Sequence, residues 1–183
     1  KIVTVEKRIE HSLGHFYSAV TRGLGFRLLE DGKTMGLSSY GDDRFLPMFR
    51  EFFDLQYGGD FRFTCSMGMI KDKVETILKQ SEQKTYFQTR ADLAYAAQHS
   101  LETIICHICT YIAKQYDQEN ICLAGGVALN SVANGKLVTE GIFRNIHIFP
   151  ACGDNGLSVG CALYGAYALS NFSREEVTCN AGI

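Results

Sequence analysis

Leu123-Ala124-Gly125-Gly126-Val127-Ala128-Leu129-Asn130 is the stretch on which the fold turns. Asn120 to Ala124 reads as a short buried strand, Gly125-Gly126 as a turn, and Ala128 to about Leu137 as the helix that follows. In open α/β sheets ligands bind at this place, where the chain leaves the carboxyl end of a strand. Gly125 and Gly126 lack a Cβ, so their backbone can approach a ligand closely and take positive φ. The helix then offers unpaired N–H groups and the positive end of its dipole, both suited to phosphate. Asn130 lies just inside that helix, with an amide able to bond a ribose, phosphate or carbamoyl group. The spacing alone is equally that of a plain strand-to-helix connection, so the surrounding sequence has to decide.

Working outward, Gly141 ends the helix, Ile142 to Phe149 reads as a second strand, and Pro150 to Gly153 as the next turn. Asp154 to Ser170 then reads as a helix of small residues. Asp154, within Gly153-Asp154-Asn155-Gly156, has two readings. It is a helix cap, or a hard oxygen ligand aimed at a metal. On the other side, Asp92 to Tyr116 carries apolar residues at helical spacing, from Leu93 to Ile112. Helix–strand–turn–helix–strand–turn–helix predicts an α/β fold whose mixed sheet contains parallel pairs joined by crossover helices.

The first half is less regular. Lys1 to Glu10 alternates as a strand does, and Ser12 is placed to cap a helix through Phe16, Tyr17 and Val20. Gly32 to Gly41 reads as a loop or broken helix, and Asp43 as the cap of a short amphipathic helix through Phe53. Phe45, Phe49, Phe52 and Phe53 would be that helix's core face. Tyr57-Gly58-Gly59-Asp60 is a turn, Phe61 to Phe63 a short strand, and Met69 to Gln83 a helix with one polar side.

Bulk properties exclude several function classes. The 183 residues suit one domain, and 46% hydrophobic with 21% charged residues is ordinary globular composition. A net charge of −2 gives no basic surface for nucleic acid. No apolar run approaches the roughly 20 residues needed to span a bilayer, and Lys1 to Lys7 does not open a signal peptide. Seven cysteines, an odd number scattered through apolar stretches, point to reduced thiols and a cytoplasmic protein.

Four ordered blocks carry a family resemblance. Ser12-Leu13-Gly14-His15-Phe16-Tyr17-Ser18-Ala19-Val20-Thr21 with Leu24-Gly25-Phe26 forms the first. Gly32-Lys33-Thr34-Met35-Gly36-Leu37-Ser38-Ser39-Tyr40-Gly41, residues 123–130 and residues 150–156 complete the set. Arg90-Ala91-Asp92-Leu93-Ala94 with Gln98 and Glu102 fits the long helix between them. Together they resemble the nodulation-type and antibiotic-type O-carbamoyltransferases. The resemblance implies an actin-like, sugar-kinase-like (RNase H-like) ATPase fold related to the tRNA threonylcarbamoyl transferases. It implies that a partner domain makes carbamoyl-adenylate from carbamoyl phosphate and ATP, and that this domain passes the carbamoyl group to a hydroxyl of a sugar or natural-product acceptor. It implies further that Gly125, Gly126 and Asn130 hold the adenylate, that Gly36 lines the nucleotide pocket, and that Asp154 is one ligand of a divalent metal, commonly iron. Such a metal would polarise the carbamoyl carbonyl as a Lewis acid.

The departures from the family pattern are as informative. The family's His-His-x-x-His metal motif belongs upstream of the region matching Lys1, and its adenylate-forming domain downstream. Residues 1–183 are therefore expected to be the second lobe of a transferase domain, a partial catalytic domain inactive alone. A tRNA threonylcarbamoyl transferase is the nearest enzymatic alternative, but Lys33-Thr34-Met35-Gly36-Leu37 stands where that family has an aspartate-lysine pocket sequence. A non-catalytic nucleotide-binding module on the same fold is the alternative from a different class.

Other chemistry-bearing residues have plainer readings. His11 and His15 stand four apart, but His11 precedes the cap at Ser12, which breaks the helical spacing a metal pair needs. Cys106 and Cys109 form a C-x-x-C inside a helix, where packed core thiols are expected rather than redox chemistry. His107 and His147 read as hydrogen-bonded, partly buried residues, and Lys71, Lys73 and Lys79 among Asp72, Glu75 and Glu82 as a solvated helix face. Tyr86-Phe87 is left open as a loop that could face substrate.

Overall fold

The computed structural model describes residue 4 and residues 12–169. Apart from Thr4, the strand expected over Lys1 to Glu10, and His11, lie outside the described residues. Helix α1 (Leu13–Gly23) begins where expected, with Ser12 Oγ accepting the His15 N–H at 3.2 Å. Of the two readings for Gly32 to Gly41, loop or broken helix, the chain takes the helical one: helix α2 (Asp31–Ser38) ends short of Gly41. Its glycines and threonine favour helix weakly, so packing stabilises it instead. Thr34 is fully buried and shares a 2.8 Å hydrogen bond with Thr21 of α1. Gly41, just beyond α2, lies against the Ala91 carbonyl so closely that a Cβ there would collide with it.

The aromatic segment is also built differently. Asp42, not Asp43, supplies the cap of a single 3-10 turn, Asp43–Phe45, which leads into α3 (Leu46–Arg50). The chain then turns extended as β1 (Phe53–Leu55), which pairs antiparallel with β2 (Phe61–Phe63) across the expected Tyr57–Gly59 turn. Phe45, Phe49, Phe52 and Phe53 thus reach the core from the 3-10 turn, α3, the turn after it and β1 rather than from one helix face. A run of aromatics fits strand and helix spacing alike, which is why periodicity misplaces it.

Helix α4 (Met67–Gln80) packs on α1, and α5 (Tyr86–Tyr116) runs through the molecule for 31 residues. The largest core lies among α1, α3, α4, α5 and the β1–β2 hairpin, with Phe16 stacked on Phe63 at 5.1 Å. Tyr86 and Phe87 open α5 as exposed helical residues, not as a loop. His107 is half-buried and its Nε2 lies 2.9 Å and 3.0 Å from the Gln56 and Asp60 carbonyls, tying α5 to the hairpin turn. Lys71 and Lys79 pair with Glu75 on the exposed side of α4, as the charge pattern predicts.

Beyond α5 the expected α/β unit appears. β3 (Asn120–Leu123) pairs in parallel with β4 (Asn145–Ile148), and α6 (Ser131–Glu140) makes the crossover, ended by Gly141 at φ +61°. Ile121, Leu123 and Ile146 pack on a small cluster with buried Cys109, Leu137 and Phe143. The sheet is not one mixed sheet: among the described residues the hairpin and the parallel pair are separate two-stranded sheets. β4 is shorter than the Ile142–Phe149 expectation, and His147 is exposed on it rather than partly buried. The chain closes its described part with a 3-10 turn, Asp154–Gly156, and α7 (Leu157–Leu169). No described helix is long and apolar enough to cross a membrane.

Candidate functional site

The site grows from the end of β3. Gly125 takes φ +99°, a value closed to side chains with a Cβ, and its N–H donates to the Cys152 carbonyl at 2.7 Å. That bond ties the turn after β3 to the turn after β4, so the two glycine-rich motifs do lie side by side. Gly126–Leu129 forms a 3-10 turn, and α6 starts at Ser131 rather than near Ala128. The cause is Asn130: it is the N-cap of α6, its backbone extended and its Oδ1 accepting the Ala133 N–H at 2.9 Å.

The Asn130 side chain is held on its other side by Gln98 of α5. Asn130 Nδ2 donates to Gln98 Oε1 at 2.9 Å, and Gln98 Nε2 donates back to Asn130 Oδ1 at 3.0 Å. Gln98 Nε2 also donates to Glu102 Oε1 at 2.9 Å, while the Tyr17 hydroxyl donates to Gln98 Oε1 at 2.7 Å. Carboxylate and backbone N–H have fixed polarity, so Glu102 and Ala133 set the orientation of both amides. Tyr17, Gln98 and Asn130 are all buried. Burial holds the Tyr17 hydroxyl protonated well above its ordinary range, Asn130's hydrogen bonding opposes this, and the Asp31 and Glu102 carboxylates reinforce it.

Tyr17 and Asn130 form one wall of a cavity of about 650 Å³, a size typical of small-molecule sites. Gly126, Val127 and Leu129 line it from the β3 turn, Ser12 to His15 with Tyr17 and Ser18 from the start of α1, and Asp31, Gly32 and Met35 from α2. Ser18 Oγ donates to Asp31 Oδ1 at 2.8 Å, joining α1 to α2 across the cavity lining. Neither Gly32 nor Gly126 has an atom within 4 Å of where a Cβ would stand, so both present open backbone.

Of the residues picked from sequence, Gly126 and Asn130 line this cavity and Gly125 is their immediate neighbour. Gly36 does not line it. It is an exposed residue of α2, one turn beyond Gly32, which does. Asp154 is exposed in its 3-10 turn, beside the cavity rather than in it; the adjoining Gly153 approaches Leu129 of the lining. Among the described residues no group of three or more His, Cys, Asp and Glu side chains is placed to hold a metal. The residues described therefore do not by themselves make a metal centre. Cys106 and Cys109 are free thiols in the C-terminal half of α5, half-buried and buried respectively, and burial raises both, Cys109 to about 11.

Sequence reasoning missed Tyr17, Ser18, Leu29, Asp31 and Gly32 as cavity residues. The one advance signal was Gln98, a polar residue in the apolar stripe of α5 between Ala97 and Leu101. A buried amide needs partners, and partners come from another element.

Comparison with known proteins places these motifs in context. A family model described as carbamoyltransferase N-terminus matches residues 1–163. Nodulation protein NolO of Bradyrhizobium diazoefficiens is 35% identical over 91% of the chain, and nodulation protein NolNO of Sinorhizobium fredii 33% over 90%. A tRNA N6-adenosine threonylcarbamoyltransferase of Moorella thermoacetica is 27% identical over 90%. The chain spans 31%, 24% and 48% of these three proteins' own lengths.

Proposed function

The chain belongs to the carbamoyltransferase N-terminus family, and from that premise we propose that it is part of an O-carbamoyltransferase that binds carbamoyl-adenylate in the cavity between α1, α2 and the β3 turn. The carbamoyl group would pass from the adenylate, made from carbamoyl phosphate and ATP, to a hydroxyl of a sugar or natural-product acceptor. The observation that carries this reading is convergence. Three separate blocks, residues 12–18, 31–35 and the distant 126–130, contribute to the lining of one cavity, and the fourth abuts it at Gly153. A connector turn alone would not gather them.

In this reading Gly126 and Gly32 let the nucleotide approach the backbone, and Gly125 shapes the turn. Asn130 is held rigid by Gln98, so its amide presents fixed polarity to the ligand without reorganising on binding. The parallel β3–α6–β4 unit, with glycine turns at its strand ends, supports the actin-like ATPase fold. The small share of its relatives' length that the chain spans supports its being one part of a longer transferase. Asp154 is proposed as one metal ligand, the rest coming from beyond the described residues. The higher identity to the nodulation proteins than to the tRNA enzyme favours the nodulation-type reading over the tRNA-modifying one.

The test uses the full-length protein with ATP and carbamoyl phosphate. Pyrophosphate release dependent on carbamoyl phosphate, and carbamoylation of an added hydroxyl acceptor, are expected. Heat of ATP binding without pyrophosphate release would favour a non-catalytic nucleotide-binding module instead.

A further inference from the structure

The loop between α1 and α2 holds a leucine in a conformation that leucine does not choose. Leu29 has φ +67° and is 87% exposed, yet it lines the cavity. Positive φ costs any residue with a Cβ, and an exposed apolar side chain gains nothing from water to offset it. The surrounding loop is built to keep it there. Arg90 donates to the Leu24 carbonyl at 2.8 Å and lies over the Phe26 ring at 4.0 Å, anchoring the loop to α5. The Arg27 N–H donates to Glu30 at 2.9 Å and closes the loop around Leu28 and Leu29. Leu129, 57% exposed, adds a second uncovered apolar side chain to the lining from the β3 turn.

The charge of the lining limits what Leu29 can meet. Among the described residues that line the cavity there is no lysine or arginine, and Asp31 contributes a carboxylate. No lysine or arginine there would hold a polyphosphate, whereas a flat apolar group would cover Leu29 and Leu129 and gain by leaving water. We propose that Leu29 is the apolar contact for the adenine base of the nucleotide, held strained and exposed until that base covers it. This rests on the nucleotide reading of the cavity given above.

Calorimetry on the full-length protein tests it, with AMP as one probe and ribose 5-phosphate, which lacks the base, as the other. Leu29→Gly and Leu29→Ala should each weaken AMP binding about tenfold and leave ribose 5-phosphate binding unchanged. Leu29→Gly relieves the backbone while loosening the unfolded chain, so its melting temperature should stay within about 3 °C of wild type. Unchanged AMP affinity in both variants overturns the inference alone. So does an equal loss for both probes, because the contact would then be to the sugar phosphate. Failure of the wild type to bind AMP overturns the nucleotide reading and the inference together.

Discussion

Gln98 and Asn130, thirty-two residues apart, hold each other through two opposed hydrogen bonds of 3.0 Å and 2.9 Å. The pair connects three things that are usually separate: the middle of the longest helix, the cap of α6, and the wall of the cavity. Because Asn130 Oδ1 also accepts the Ala133 N–H, one side chain starts a helix and sets the polarity of the site.

Removing that side chain should therefore cost more than a cap. Asn130→Ala loses a cap worth about 0.5–2 kcal/mol and leaves Gln98 with unpaired buried groups at about 1–3 kcal/mol. A total loss of about 2–4 kcal/mol is expected in urea unfolding. Asn130→Asp keeps the Ala133 acceptor and places an anion at a helix start, so its loss should be smaller. Equal losses in the two variants would show that the cap contributes nothing beyond the amide pair.

The second half of the fold was legible because its signals are local. A short strand, a Gly-Gly turn and a helix ended by Gly141 follow one another without needing distant contacts. The first half was not, because its structure is imposed from elsewhere. α2 is a poor helix former that forms against α1 and α5, and the phenylalanines of residues 45–53 satisfy two periodicities at once. The site divides in the same way. Gly126 and Asn130 could be read from the β3 turn, whereas Asp31 and Gly32 belong to it through contacts between α1 and α2, Thr21 with Thr34 and Ser18 with Asp31. Gly36 was selected within the right block, one helical turn from the residue that faces the cavity.

Glycine substitutions in that block separate packing from ligand contact. Gly41→Ala drives a Cβ into the Ala91 carbonyl and the Tyr95 side chain, both on α5, and overpacking of this kind costs about 1–3 kcal/mol. Gly36→Ala meets nothing within 4 Å, and in a helix interior the change should stabilise by about 0.5–1 kcal/mol. Nucleotide affinity should be unchanged in Gly36→Ala and reduced in Gly32→Leu, whose side chain would enter the cavity. Titration of AMP into the two variants decides which glycine belongs to the site.

Cys109 makes alkaline stability a readable quantity. Burial raises its thiol from 9.0 to about 11. Below pH 9 both folded and unfolded chains keep the proton, and the thiol adds no pH dependence. Between pH 9 and pH 11 the unfolded chain ionises first, so stability should fall by about 2–3 kcal/mol across that window. Tyr17, also raised by burial, acts in the same direction from its ordinary value of 10.0 upward, so only the comparison with a Cys109 variant separates the two. The difference between wild type and Cys109→Ala in urea midpoints, taken from pH 8 to pH 11, isolates the thiol. A constant difference across that range would mean that Cys109 ionises in the folded protein as freely as in water.

Asp154 offers the sharpest separation of structure from function. It is exposed, and its turn is shaped by Gly156, where a Cβ would collide with the Ala151 carbonyl. The backbone, not the carboxylate, fixes the conformation there. Asp154→Asn should consequently leave stability within about 0.5 kcal/mol, as for surface positions in general. If Asp154 is a metal ligand, the same change in the full-length protein should lower bound metal measured by elemental analysis, because a neutral amide is a far weaker ligand for a hard cation than a carboxylate. Gly156→Ala should do the opposite to stability, lowering the unfolding midpoint through the displaced turn. Loss of metal in Asp154→Asn with the midpoint preserved would identify the carboxylate as a ligand. Full metal content in that variant would return Asp154 to the role of an ordinary turn residue.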